Sequence, residues 1–121
     1  MYAEITETAL VELVRTFYAK VRRDPMIGPV FNAAVEDWDE HLVTLTGFWS
    51  SVMLGTGRYK GNPFGAHQKQ PIKPEMFERW LSLWSETVGE MFEPKAADQL
   101  RERAGRIGES LRQGLFFRIP A

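Results

Sequence analysis

The 121-residue chain contains no cysteine, and this absence excludes several classes of site at once. Disulfides, thiolate zinc sites, iron–sulfur clusters, cysteine nucleophiles and cofactors attached through thioether bonds all require that side chain. Histidine is nearly as scarce, since the chain has only two. Few arrangements of metal ligands or acid–base groups therefore remain open.

The chain also lacks an excess of charge of either sign and a long hydrophobic run. Fifteen Lys and Arg residues face sixteen Asp and Glu residues, which gives a formal net charge of −1. A nucleic-acid-binding domain is normally strongly basic, so no nucleic-acid partner is expected. No apolar stretch approaches the roughly 20 residues of a membrane-spanning helix, and Met1 leads into a polar, acidic stretch unlike a signal peptide. The sequence predicts a soluble cytoplasmic protein with no membrane partner.

Repeats, low-complexity segments and linkers are absent too, so residues 1–121 are expected to form a single domain. Domains are most often about 100–150 residues long, and a chain of this size can bury about two-thirds of its unfolded surface. Aromatic residues, in contrast, are abundant: they make up 12% of the chain and include four Trp and eight Phe. So large an aromatic content in a small chain suggests that the rings surround something.

Apolar residues recur at steps of three and four in four segments, which is the pattern of helices with one buried face. These segments are residues 6–23, 37–54, 74–92 and the stretch from 94 onward. The stretch 26–31 is interrupted by Gly28 and Pro29 and is expected to form a turn or a single helical turn. The stretch 55–63 contains three glycines and is interpreted as a flexible connection. No strand-like alternation persists, so the predicted fold class is all-α.

Both histidines lie in apolar surroundings. His41 falls within the apolar stripe of segment 37–54, and His67 ends the stretch Phe64-Gly65-Ala66-His67. Taken singly, each is explained by partial burial with an ordinary hydrogen-bond partner. Taken together they suggest more, because apolar surroundings disfavour the charged form of an imidazole. A neutral imidazole in an apolar wall is what haem iron requires of an axial ligand.

Other chemistries fit the sequence less well. A zinc site is disfavoured because 26 positions separate His41 from His67 and no His-Glu-x-x-His motif occurs. A serine nucleophile would lack its Gly-x-Ser-x-Gly motif. No catalytic residue is assigned.

Tyr18 and Trp80 lie on the apolar faces of two further helices. Core packing explains each of them equally well, provided that the hydroxyl and the indole N–H find acceptors. With His41, however, they would present hydrogen-bond donors from three helices to one enclosed point. A diatomic ligand on haem iron would use such donors.

Short motifs spread over nearly the whole chain indicate a family. They are Phe17-Tyr18-Ala19-Lys20-Val21-Arg22 with Asp24, Gly28-Pro29-Val30-Phe31-Asn32, Trp38-Asp39-Glu40-His41, Phe48-Trp49, Met53-Leu54-Gly55, Tyr59-Lys60-Gly61-Asn62-Pro63, His67, Phe77-Glu78-Arg79-Trp80-Leu81 and Trp84. On these residues the sequence resembles the truncated haemoglobins of group III, or P class. The resemblance implies a truncated globin fold, in which two antiparallel helix pairs cross in a two-over-two sandwich around haem.

The resemblance also implies roles for individual residues around a non-covalent haem b. His67 is expected to be the proximal iron ligand, and Tyr18, His41 and Trp80 are expected to surround the bound ligand. Phe31, His41 and Leu45 are expected to contact the haem. Three aromatic residues and one methionine are further candidates for the proximal wall: Phe64, Met76, Phe77 and Trp84. Tyr59, Lys60 and Arg79 have the chemistry to pair with haem propionates, although solvated surface positions explain them as well.

The expected function is binding of O2 and other diatomic ligands, CO and NO, at a five-coordinate or weakly six-coordinate iron. Donors in a low-dielectric pocket form strong hydrogen bonds to a ligand that carries partial charge, so slow O2 release is expected. An alternative is enzymatic NO dioxygenation with a reductase partner, or peroxidase-type chemistry, at the same site. A cofactor-free helical interaction module is disfavoured, because the apolar stripes already suffice for a self-contained core. The oligomeric state is left open.

Overall fold

The computed structural model describes residues 1–61 and 72–116, and these residues form five helices. The helices are α1 (Glu7–Arg23), α2 (Gly28–Ala34), α3 (Trp38–Leu54), α4 (Pro74–Met91) and α5 (Pro94–Phe116). Within the two described stretches no β-strand forms beyond an isolated pairing of Tyr2 with Phe92. The all-α fold class is confirmed. None of the helices described is both long and apolar enough to cross a membrane.

The ends of the long helices follow local signals in the sequence. Thr6 Oγ1 accepts a hydrogen bond of 3.1 Å from the backbone N–H three residues on, and Asp37 Oδ1 accepts one of 3.2 Å in the same way. Gly55 ends α3 with a φ of 69°, a left-handed conformation that glycine adopts without steric cost. Pro74 and Pro94 begin α4 and α5, where a missing N–H costs no intrahelical hydrogen bond.

The stretch expected to form a turn or a single helical turn leads into a longer, seven-residue helix, α2. The helix is longer than expected because residues outside it, at the end of α1 and in the turn that follows, hold its beginning in place. The Asp24 carboxylate accepts hydrogen bonds of 3.0 Å from the backbone N–H groups of Met26 and Ile27, which orders the entry to α2. A Cβ at Gly28 would lie 2.9 Å from the carbonyl oxygen of Arg22, so glycine allows α2 to pack directly on the end of α1.

The core lies where α1 packs against α3 and α4, and where α4 packs against α5. Besides Ala9, five larger side chains of α1 are completely buried: Leu10, Leu13, Val14, Phe17 and Val21. Full burial of each such side chain contributes about 1.5–3 kcal/mol. The indole of Trp84 stacks on Trp49 at 4.3 Å between ring centroids, and its Nε1 donates to the Leu100 carbonyl oxygen at 3.1 Å.

Side-chain bonds hold the described part of the connection after α3 at Arg58 and Tyr59. The backbone N–H of Tyr59 donates to Ser51 Oγ at 2.8 Å. Arg58 Nη1 forms an ion pair of 2.7 Å with Glu7, whose carboxylate also accepts a hydrogen bond from the buried Ser50. These bonds tie the connection to the beginning of α1.

Candidate functional site

A cavity of about 580 Å³ lies between the helices, and all five contribute to its lining. Its volume falls within the roughly 300–1,000 Å³ of pockets that bind small molecules and cofactors. The walls are mainly apolar. Aliphatic residues from several parts of the chain contribute: Ile27, Val30, Val35, Ile72, Ile107 and Leu111.

Seven of the predicted site residues line this one cavity. They come from α1 to α4 and are Tyr18, Phe31, His41, Leu45, Met76, Phe77 and Trp80. The helices thus bring together side chains that are up to 62 positions apart in the sequence. His67 and Phe64 lie outside the described residues, so their predicted roles stay predictions.

Tyr18 and Trp80 form one polar corner of the cavity. Tyr18 is only 3% exposed, and this burial raises the pKa of its hydroxyl, while a hydrogen bond with the Trp80 side chain partly offsets the rise. The hydroxyl is therefore protonated at neutral pH. An indole can only donate, so the Tyr18 oxygen accepts from Trp80 and keeps its own hydrogen for another acceptor. The rings of Phe17 and Trp80 meet edge to face at 5.0 Å, which supports this corner from the core.

His41 is half-buried next to that corner. Its ring contacts Tyr18 at 6.3 Å and Trp38 at 5.6 Å between centroids, both edge to face. Burial lowers the pKa of the imidazole below its ordinary value of 6.5. The ring is consequently neutral at pH 7, with one nitrogen that can donate and one that can accept or bind a metal.

Trp84 lies in the core rather than on the cavity surface. It is 1% exposed and stacks between two residues of the lining, Trp49 and Trp80, the latter at 5.3 Å between centroids. Trp80 and Trp84 are one helical turn apart on the same apolar face. The structure places Trp80 on the wall and Trp84 directly behind it.

Arg79 is engaged in an ion pair that the sequence did not predict. Its Nε and Nη2 each lie 2.7 Å from Asp24 Oδ1, and the Asp24 side chain is 2% exposed. Burial alone would raise the pKa of the Asp24 carboxyl. The hydrogen bond from the Ile27 N–H and the contact with Arg79 outweigh that effect and hold the pKa below its usual range. The pair therefore links the α1–α2 turn to α4.

Several lining residues were recognised in the sequence only as members of helical faces. Phe48 and Trp49 belong to the apolar stripe of α3, and Ile107 and Leu111 belong to that of α5. Tyr59 also lines the cavity, with its ring 5.2 Å from that of Phe48. Periodicity identified the apolar faces but did not distinguish a side chain packed on another helix from one that faces a cavity.

Comparison with known proteins decides the family. The model of the bacterial-like globin family matches residues 1–110. Over 120 residues the chain is 32% identical to the "Group 3 truncated hemoglobin ctb" of Campylobacter jejuni subsp. jejuni, a match that spans 95% of this chain and 94% of that relative. The chain belongs to the group III truncated haemoglobins.

The fold of this group III truncated haemoglobin agrees with that assignment. A crystal structure of group III truncated hemoglobin from Campylobacter jejuni superposes with a TM-score of 0.91 at 33% identity, and the match covers 96% of each chain. The predicted family and the truncated globin fold are both confirmed.

Membership of the globin family implies that the protein binds haem. The cavity fits such a group, because it combines apolar walls for the macrocycle with the Tyr18 hydroxyl, hydrogen-bonded to Trp80, at one corner. In the part of the chain that the structure describes, no group of three or more His, Cys, Asp or Glu residues could hold a bare metal ion.

Proposed function

We propose that this truncated haemoglobin holds haem b non-covalently in the cavity, with His67 as the axial ligand, and binds O2, CO and NO there. The observation that carries the proposal is the convergence of seven predicted residues on one cavity of about 580 Å³. Residues 1–121 would act as a single globin domain.

Haem iron would supply the coordination bond to the diatomic ligand, and the chain would supply the surroundings. Tyr18 has the hydroxyl hydrogen that Trp80 leaves free, and the corner is buried. A hydrogen bond to a group that carries charge contributes roughly 1.5–3 kcal/mol. That range corresponds to an increase in affinity of roughly tenfold to a hundredfold or more. We expect slow O2 release for this reason.

His41 would have a different role from Tyr18. It is half-buried and neutral at pH 7, and it lies beside the polar corner. Its free nitrogen would be available as a weak second ligand of the iron, so the iron would be weakly six-coordinate with His41 bound and five-coordinate without it. Its N–H would be available to donate to a bound diatomic ligand.

Absorption spectroscopy of the purified protein tests the proposal. We expect a Soret band in the oxidised and reduced forms, and a shift of that band when CO is added to the reduced form. The pyridine haemochromogen spectrum should be that of haem b. A protein that is purified colourless and takes up no haem on reconstitution would contradict the proposal.

A second candidate, NO dioxygenation to nitrate, is favoured by the same donors in the polar corner. Hydrogen bonds that polarise an O–O bond help its cleavage, and they would equally serve peroxidase-type chemistry. Catalysis would require a reductase that returns the iron to the ferrous state. Consumption of many equivalents of NO in the presence of a reductase would support an enzyme. A single equivalent followed by a stalled ferric form would leave ligand binding as the function.

A further inference from the structure

His41 lies at the mouth of the cavity. Among the described residues of the lining, those exposed to solvent belong to the stretch 34–44, on both sides of His41 in the sequence: Ala34, Glu36, Asp37, Glu40 and Thr44. His41 itself is half-buried. Its half-buried ring is therefore flanked by the exposed part of the described lining.

Ring packing alone holds His41 in this position. Its ring nitrogens form no hydrogen bond with residues 1–61 or 72–116. The two aromatic neighbours differ in how firmly they are fixed. Tyr18 is buried, contacts Phe17 at 4.8 Å and is hydrogen-bonded to Trp80. Trp38 is only half-buried, so the position of His41 depends on what holds Trp38.

Arg22 covers the indole of Trp38. The guanidinium carbon lies 4.7 Å from the ring centroid, within the roughly 6 Å of a cation–π contact. Arg22 forms no ion pair with the described residues, so this ring is the partner of its charge. Its backbone is fixed in turn, because its carbonyl oxygen accepts a hydrogen bond of 3.1 Å from Asn32 Nδ2. A line of contacts thus runs from Arg22 on α1 through Trp38 to His41 on α3.

We propose that Trp38, clamped by Arg22, is the positioning residue that keeps the His41 imidazole over the mouth of the cavity. Without the clamp the indole gains rotamers, the edge-to-face contact at 5.6 Å is lost, and the imidazole turns toward solvent. The expected change in the rate of ligand entry rests on the proposed function. The expected loss of the Trp38–His41 ring contact does not depend on that function.

CO association with the reduced holoprotein after flash photolysis tests the clamp. A cation–π contact at an exposed site is worth a factor of roughly two to five, so Arg22→Gln should accelerate CO association by about that factor. Arg22→Lys should retain most of the parent's rate. Arg23→Gln is the matched control, because Arg23 is the adjacent exposed arginine. Trp38→Leu should accelerate association more than Trp38→Phe, which keeps an aromatic ring.

A double-mutant cycle shows whether the clamp acts through His41. In a His41→Ala background, Arg22→Gln should have no further effect on CO association. In NMR spectra of the CO form, the cross-peaks between the Trp38 and His41 rings should persist in Arg23→Gln and weaken in Arg22→Gln.

Two results would overturn the clamp: equal rates for Arg22→Gln and Arg23→Gln, or the same acceleration by Arg22→Gln with and without His41. If the protein bound no haem, the proposed function would fail instead. The ring cross-peaks of the two arginine variants in the haem-free protein would then still decide for or against the clamp.

Discussion

At the scale of single residues, the proposed ligand binding depends on Tyr18 and Trp80. The indole N–H donates to the Tyr18 oxygen, which leaves the hydroxyl hydrogen pointing to another acceptor. We expect Tyr18→Phe to increase the O2 dissociation rate by about tenfold to a hundredfold, since a charge-assisted hydrogen bond is worth roughly 1.5–3 kcal/mol. Trp80→Phe should have a smaller effect in the same direction.

Stopped-flow displacement of O2 by CO measures both dissociation rates. Tyr2→Phe is a suitable control, because Tyr2 packs on Phe92 and does not line the cavity. Dissociation rates within twofold of the parent in both Tyr18→Phe and Trp80→Phe would show that these donors do not hold the ligand.

The titration of His41 predicts a pH dependence of stability. Burial lowers its pKa in the folded protein below the ordinary 6.5, so the unfolded chain binds more protons in the interval between the two values. The contribution of His41 to stability is therefore fully present above pH 6.5 and is lost as the pH falls through the folded pKa. The free energy of unfolding should fall less between pH 7.0 and pH 5.0 in His41→Gln than in the parent.

Urea denaturation at the two pH values measures that difference. Other groups titrate in the same interval, but they contribute equally to both proteins, so the difference between parent and variant isolates His41. An identical loss of stability in His41→Gln would show that the imidazole is not held in its neutral form by burial.

Helix α2 illustrates what decides structure at the scale of an element. Local sequence predicted no more than a single helical turn, because Gly28 and Pro29 interrupt a short apolar stretch. The helix forms because Asp24 orders its entry and because Gly28 permits contact with the end of α1. Asp24 is in turn paired with Arg79, 55 positions away in the sequence. A local sequence pattern does not predict a partner at that separation.

Two glycine substitutions of opposite expected sign test this packing. A Cβ at Gly28 would meet the backbone of α1 at 2.9 Å, so Gly28→Ala should lower the free energy of unfolding by about 1–3 kcal/mol. Gly105 lies within α5 and has open space around a built Cβ. Gly105→Ala should raise the free energy of unfolding by about 0.5–1 kcal/mol through helix propensity.

Chemical denaturation of both variants measures the two changes under identical conditions. Equal stability of Gly28→Ala and the parent would mean that α2 can move away from α1 without cost. Gly105→Ala is the control, because it shows whether exchanging glycine for alanine lowers the free energy of unfolding at a helical position without close contacts.

Helix α3 shows how much of a binding site the periodicity of apolar residues can predict. The stripe correctly identified an apolar face that includes His41, Leu45, Phe48 and Trp49. It did not show that all four line a cavity, because periodicity indicates only that a side chain avoids water. Likewise, Trp80 and Trp84 are equivalent in the pattern, and only the packing of α4 on its neighbours separates wall from core.

For the whole molecule, the four long helices were predicted from the spacing of apolar residues. The cavity did not follow from spacing, since it is a property of five helices packed together. It was anticipated through chemistry: two histidines in apolar surroundings, an aromatic surplus and motifs typical of a family. Those signals identified Tyr18, His41 and Trp80, which the structure places on a common cavity.

The central claim is that His67 supplies the axial bond to haem, and replacing its side chain tests that claim most directly. We expect His67→Ala to lose the parent's absorption bands in the reduced and CO-bound forms, and free imidazole to restore them by occupying the vacated position. His41→Ala is the control variant. It still contains His67, so the axial bond between His67 and the haem iron should remain. Bands of the untreated His67→Ala protein that match those of the parent would contradict the account.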